Sequence, residues 1–421
     1  MNIAIDSGVP QLDLDPYSDD FLADPYPHYA TLREAGPVVW LRPLGIYAVA
    51  RHAEVATVLR DWETFTTRRG FGLTDMAVDV PLVDSPEYAR YAENPAMNTF
   101  GMRMLLDGAR PDPPENAQFR KVFTTLLAPG AVRPLRERFA AEAEEIVARV
   151  IARGSFDAAR ELAEVYVLKM LCDTVGLPEE GREQLFLYGD MAMNTSGPRN
   201  ETYMSSIAAA AHAVDWVADA CRRDAIDAGG IGELVFASVD SGEIPDEAMG
   251  EVFVRLFPTA AVDTTSSTIT NAIHNLATHP DQWRLLRESP KLARNAFQET
   301  MRLTQAIHPL YRTTNHESVL AGYPVAGGAK MMMLLGSANR DPRVFTDPDR
   351  FDVGRDASAQ LGFGSGIHSC AGQSLARLEG EAVLAALARH AATIELDGEP
   401  TRRVHNTLHT WARLPVAVTA A

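Results

Sequence analysis

The stretch LGFGSGIHSCAGQSLARLEG (361–380) sets Cys370, one of three cysteines in the chain, among Gly362, Gly364, Gly366 and Gly372. The residues that follow, Gln373 to Arg389, are rich in Leu, Ala, Glu and Arg and read as a helix. Glycines give a loop conformations closed to other residues and let a partner come close. A helix N-terminus adds free N–H donors and partial positive charge, which stabilise a thiolate. The stretch therefore prepares a sulfur anion and clears space before it. What that sulfur meets decides both fold and chemistry.

The chain has 421 residues, a formal net charge of −17 and 46% hydrophobic residues, enough for a large core. Its pI near 5.1 argues against nucleic acid, which needs clustered Lys and Arg, and against docking on anionic membranes. The start, MNIAIDSGVPQLDLDPYSDD, has neither the basic region nor the apolar run of a signal peptide. No stretch approaches the roughly 18 uncharged apolar residues of a spanning helix. Cysteines at 172, 221 and 370 make no disulfide framework and fit a reducing compartment. With no linker, repeat or low-complexity tract to cut at, the expectation is one domain over 1–421 in a soluble, cytoplasmic protein.

ADPYPHYATLREAG (23–36) reads as a turn into a helix stopped by Gly36, and VVWL with IYAVA as a hairpin around RPLG. Periodicity fails from about 66 to 116, as in a functional loop or lid. From Ala117 to about Ala306 the pattern is mostly helical, with AEAEEIVARVIARG and ELAEVYVLKMLCDTVG joined through Phe156 and Asp157. MNTSGPRNETYMSS (193–206) reads as a helix-to-helix loop. A long apolar helix runs from Asp246 to Ala277 through Pro258. VLAGYPVAGGAKMMMLLGSAN reads as strand, turn and strand, and HNTLHTWARLPVAV as a terminal hairpin. The fold class is mainly α (α+β), with small sheets at both ends of the sequence.

His368 and Cys370 lack the paired spacing of a structural zinc site. A Cys–His nucleophile stays open, and Cys172 and Cys221 read as inert buried thiols. Phe363, Gly366, Cys370 and Gly372 resemble the F-x-x-G-x-x-x-C-x-G signature of the cytochrome P-450 family. The resemblance implies haem b (iron protoporphyrin IX) with Cys370 as axial thiolate, whose electron density favours O–O cleavage. It also implies Phe363 beside the sulfur and glycines, Gly364 and Gly372 among them, flat against the porphyrin.

Further strings resemble the same family in the same order. ETMR (299–302) matches its E-x-x-R pair, Glu299 and Arg302, and NRDPRVFTDPDRFDVGR (339–355) its meander, with Arg350 or Arg343 as third partner. Alone, E-x-x-R is an ordinary helical ion pair. TAAVDTT (259–265) resembles the oxygen-activation pattern, which makes Asp263 and Thr264 the catalytic acid–alcohol pair. Ala261 stands where the pattern usually has Gly, and Pro258 lies one turn before. Arg312 in HPLYRTT, His368, and Arg120 in PENAQFRKVF match the groups that hold haem propionates.

The resemblance covers essentially the whole chain and implies a triangular helical domain with haem between the long helix and the cysteine loop. It implies dioxygen, a small-molecule substrate, and electrons from a ferredoxin with an NADH- or NADPH-dependent reductase. That partner would dock near Arg110, Arg120, Lys121 and Arg377. The implied substrate pocket takes Met97, Phe100, Met191 to Met193, Thr259, Ala260, Ile307, Leu310 and Trp411, with Arg103 or Arg255 as candidate partners for a carboxylate. EAGPVV, RNAF, GSANRDPR and the NTL…LPV ending are similar to bacterial members that hydroxylate or demethylate para-substituted benzoic acids. A terpenoid hydroxylase and a peroxide-driven peroxygenase are the alternatives.

Overall fold

A computed structural model of the chain describes residues 8–75 and 112–421. Met97, Phe100, Arg103 and Arg110 lie outside the described residues. The fold is mainly helical, with its strands gathered at the flanks.

The strands are β1 (Gln11–Leu12), β2 (Val39–Leu41), β3 (Ile46–Val49), β4 (Phe65–Thr66), β5 (Ser155–Asp157), β6 (Pro309–Thr314), β7 (Ser318–Leu320), β8 (Tyr323–Val325), β9 (Lys330–Leu334), β10 (Ala391–Leu396), β11 (Thr401–Arg402), β12 (Trp411–Arg413) and β13 (Pro415–Ala420). One sheet runs β1-β2-β3-β9-β6-β4, and a second runs β10-β13-β5. The expected hairpin is β2–β3, with Trp40 opposite Tyr47. Residues 318–334 form three strands rather than two, because a tight turn at Ala321 and Gly322 folds β7 onto β8.

The expected terminal hairpin is not one. β12 pairs with β11, while β13 lies between β10 and β5. Leu414 N–H donates to Asp157 Oδ1, where the chain passes from one sheet to the other. Phe156 and Asp157, read as a connection, are the strand that receives it.

The helices that place the site are α1 (Tyr26–Ala35), α2 (His52–Arg60), α3 (Glu115–Leu126), α4 (Arg136–Ile151), α5 (Glu164–Val175), α6 (Gln184–Asn194), α7 (Glu201–Ala210), α8 (Glu247–Thr278), α9 (Ala293–Leu303) and α10 (Gln373–His390). The loop expected at 193–206 narrows to 195–200, between α6 and α7. Asp246 caps α8, its carboxylate accepting from Met249 N–H at 2.9 Å. α8 then runs 32 residues straight through Pro258. It is buried nearly all round, its polar residues included, and packs against α5, α6, α9 and α10, which is why it forms the spine of the core. Among the described residues no helix is long and apolar enough to cross a membrane.

Candidate functional site

Cys370 lies one turn before α10. Its own N–H donates to Phe363 O at 2.7 Å, closing the loop, and the amides of Gly372 and Gln373 donate to its sulfur. Gly364 and Gly366 hold φ of +69° and +76° in that loop. A Cβ on Gly366 would lie 2.9 Å from Leu59 O, so this turn needs glycine for clearance as well as for conformation. Burial raises the Cys370 pKa, while the two amides and the charges of Arg120 and Arg377 pull it down. The guanidinium of Arg377 stacks on Phe363, 4.5 Å from the ring centre. Burial also pushes Cys172 and Cys221 up, to about 12, which keeps them thiols.

The sulfur opens into a cavity of about 350 Å³, partly open to solvent. Ala260, Ala261 and Thr264 of α8 line it together with Ile307, Met193 and Phe257. Gly362, Phe363 and Gly372 line it beside the sulfur. A Cβ on Gly372 would meet only the Cys370 sulfur, at 3.9 Å, so the space before the loop is open. An apolar slot, a sulfur on one wall that accepts two amide hydrogen bonds, and guanidinium groups nearby fit a planar apolar macrocycle that carries carboxylates.

The groups expected on those carboxylates divide. Arg120 lines the cavity and donates to Ser369 O. Arg312 is buried, donates to Tyr311 O at 2.7 Å, and has Asp112 as its charge partner. His368 Nε2 meets the same Asp112 Oδ1 at 3.0 Å. Burial raises the Asp112 carboxyl, but hydrogen bonds from His368, Thr66 and Thr67 outweigh it and hold the pKa below the usual range. Sequence reasoning missed Asp112, which sits beside the expected propionate ligands as a carboxylate of the chain itself.

Glu299 and Arg302 are both fully buried and joined by two hydrogen bonds, at 2.7 and 2.8 Å. The third partner is Arg355, whose Nε donates to Glu299 Oε1 at 3.1 Å. This corrects the expectation of Arg350 or Arg343. Arg350 contributes its backbone carbonyl, which accepts from Arg302, and Arg343 pairs with Asp341 and Glu34. Arg302 also donates to Asn339 O, and the Asn339 side chain accepts from Leu361 N–H at 2.7 Å. That amide begins the cysteine loop, so the buried pair and the loop share one residue.

On α8 the Thr264 hydroxyl donates to Ala260 O at 2.9 Å and faces the cavity. Asp263 points the other way, against α6, and is buried. Burial raises its carboxyl to about 7, opposed by Arg403 and reinforced by Asp190 and Glu164. Its Oδ2 has no hydrogen-bond partner.

Of the expected pocket residues, Ala260, Ile307 and Met193 line the cavity. Three do not. The Thr259 hydroxyl turns back to Arg255 O, and Leu310 packs with the N-terminal sheet. Trp411 is held between the His274 ring and the Arg402 guanidinium. Met191 is fully buried in the core. A residue missed from sequence is Glu379, on the cavity wall, whose Oε1 is unpartnered and whose carboxyl burial pushes to about 8.

Comparison with known proteins agrees with this geometry. The family model described as Cytochrome P-450 matches residues 217–407. The chain is 43% identical over 417 residues to "Cytochrome p450 CYP199A2" of Rhodopseudomonas palustris, covering 99% of this chain and 96% of that protein. It is 27% identical to a beta-dihydromenaquinone-9 omega-hydroxylase of Mycobacterium bovis, over 97% of this chain and 78% of that one. Among solved structures, CalO2 superposes with a TM-score of 0.81 at 26% identity, over 96% of this chain and 98% of that one. An epothilone D-bound cytochrome P-450 superposes at 0.82 with 24% identity, covering 97% and 100%, and attests the fold alone. A relative this similar over nearly its whole length, on a chain that folds and gathers its cysteine loop in the same way, decides the matter: the chain belongs to the cytochrome P-450 family of haem b monooxygenases.

Proposed function

We propose that this monooxygenase hydroxylates or O-demethylates a small aromatic acid, such as a para-substituted benzoic acid, with dioxygen and with electrons from a ferredoxin and its NADH- or NADPH-dependent reductase. The whole chain, 1–421, acts as one domain in this reading. The observation that carries it is the placement of the Cys370 sulfur and the Thr264 hydroxyl on the wall of one largely apolar cavity. The similarity of EAGPVV, RNAF and GSANRDPR to benzoic-acid-oxidising members supports the substrate class.

In this reading Cys370 holds the haem iron, and Arg120, Arg312 and His368 hold the carboxylates of the group. Haem b, when bound, supplies the iron at which dioxygen is reduced, for the balance RH + O2 + 2 electrons + 2 protons → ROH + H2O. The chain supplies the protons and excludes bulk water. Because the Thr264 hydrogen is committed to Ala260 O, its lone pairs face the cavity and accept from a proton-carrying water. Asp263 holds a proton at Oδ2, where burial keeps the neutral acid populated near pH 7. A proton donor of this kind supports the dioxygen route over the peroxide-driven one, since peroxide arrives already reduced.

One observation favours the terpenoid alternative. Among the described residues the only cation on the cavity wall is Arg120, on the cysteine side. The deciding experiment first records the carbon monoxide spectrum of the reduced protein, which a thiolate shifts strongly to the red. The haem spin state is then titrated with 4-methoxybenzoic acid and with a neutral monoterpene. A shift with the acid, and formaldehyde released on turnover, supports the proposal; a shift with the terpene alone overturns it.

A further inference from the structure

One guanidinium away from the cysteine loop has no counter-ion. Arg402 and Trp411 pair across β11 and β12, and the Arg402 guanidinium carbon lies 3.4 Å from the indole ring centre. Burial lowers the Arg402 pKa to about 10, opposed by Tyr26 and Asp24. Asp24 is exposed, and among the described residues Arg402 forms no ion pair with it or with any other carboxylate. Its Nη1 is buried without a hydrogen-bond partner. A buried cation left unpaired in this way is costly to the fold.

The side chains around it repeat the pattern. Tyr26, the first residue of α1, meets His409 edge to face, with ring centres 5.7 Å apart. The Tyr26 hydroxyl and His409 Nε2 are both buried and unpartnered, as is Trp411 Nε1. His409 is 5% exposed. Burial holds it neutral, reinforced by His308, Arg402, Arg340 and His274, all of which disfavour a further positive charge there. Arg340 lies over the Tyr26 ring at 3.5 Å but is already committed, donating to Leu303 O and to Asp349. Beside His409 the core also leaves a void of about 20 Å³, lined in part by Pro25 and His308. That is room for a single atom-sized guest.

We propose that Arg402, His409 and Tyr26 form a binding site for one small monovalent anion of the halide class, which serves as the counter-ion of Arg402 and fastens the 403–410 segment to the start of α1. A water would satisfy the unpaired polar atoms, but it would leave the guanidinium without a charge partner. The small void excludes a phosphate or an organic acid. The anion also acts at a distance on the main cavity. Leu408, in the fastened segment, bridges to Ile307 on the cavity wall, so the anion steadies that wall from behind.

The test uses the haem-loaded enzyme, crystallised with bromide as the probe, and anomalous diffraction at the bromine edge. The expected result is a peak within hydrogen-bond reach of Arg402 Nη1 and His409 Nε2. In solution, exchanging gluconate for bromide at constant ionic strength should raise the melting temperature by about 2 °C, and Arg402→Gln should abolish that rise. A site that holds only water, with no anomalous signal, overturns the proposal. So does a peak without any effect on melting, which marks an adventitious ion only, and so does a rise that survives in Arg402→Gln. Should Arg402→Gln fail to fold, Tyr26→Phe replaces it: this variant keeps the cation, loses one donor and should need more bromide for the same rise. An unchanged bromide dependence there overturns the proposal as well.

Discussion

Gly189 on α6 faces Asp263 on α8 so closely that a Cβ on the glycine would overlap Asp263 Oδ2. The unpaired carboxylate oxygen thus occupies room that exists only because position 189 has no side chain.

Gly189→Ala should therefore displace the Asp263 carboxyl towards Arg403 and lower its proton occupancy. We expect product formed per NADH consumed to fall by about tenfold, a partial loss of the roughly 10²–10⁴-fold that a positioned acid contributes. Haem content and the carbon monoxide spectrum should be unchanged. Unaltered coupling would show that the carboxyl relaxes without loss.

Thr264→Ala removes the hydroxyl on the cavity wall. NADH consumption should continue while product falls about tenfold and peroxide appears, measured by paired NADH and product assays. Cys370→Ser should abolish the red-shifted carbon monoxide band altogether.

The corrected third partner separates two arginines of the same segment, Arg350 and Arg355. Arg355→Ala removes a cation from the fully buried Glu299 and should lower stability by about 2–3 kcal/mol, read from denaturant midpoints. Arg350→Ala keeps the backbone carbonyl that Arg302 uses and should cost about 0.5 kcal/mol or less. Equal losses would restore Arg350 as a side-chain partner.

Glu379 gives a pH signature. Its folded pKa, about 8, lies above the ordinary value of 4.5. Between those values the folded state binds a proton that the unfolded chain has lost, so this group makes stability fall as pH rises from about 4.5 to about 8. Glu379→Gln should remove that slope and leave the variant more stable at pH 9 than the parent, by an amount on the order of 3 kcal/mol. Melting temperatures of both proteins at pH 5 and pH 9 check it, and a gain at pH 5 as large as at pH 9 would refute it.

Local chemistry was what the sequence displayed. The cysteine loop and the Glu299–Arg302 pair are contiguous, so spacing alone brings their atoms together, whereas Asp263 and Thr264, adjacent in sequence, face opposite sides of α8. Asp112, Asp190, Arg403 and Glu379 carry no such signature. Asp112 meets His368 across 256 residues, and Arg403 meets Asp263 across 140. Only the packing of distant elements makes those contacts. Arg355 was within reach, because it ends the very segment read as the meander, and the error lay in choosing among its arginines. Trp411 failed for another reason: strand alternation does not say which of two sheets a terminal strand joins, and β12 belongs with β11. The fold class, by contrast, followed from helical periodicity over most of the chain.

The Arg302–Asn339–Leu361 linkage has a consequence for assembly of the enzyme. Each contact in it is made by protein atoms alone, and together they fix the start of the cysteine loop from the side away from the cavity. These contacts hold the loop independently of the cavity's contents, so an apoprotein prepared under haem starvation is expected to keep the loop in place and to take up haem without a refolding step.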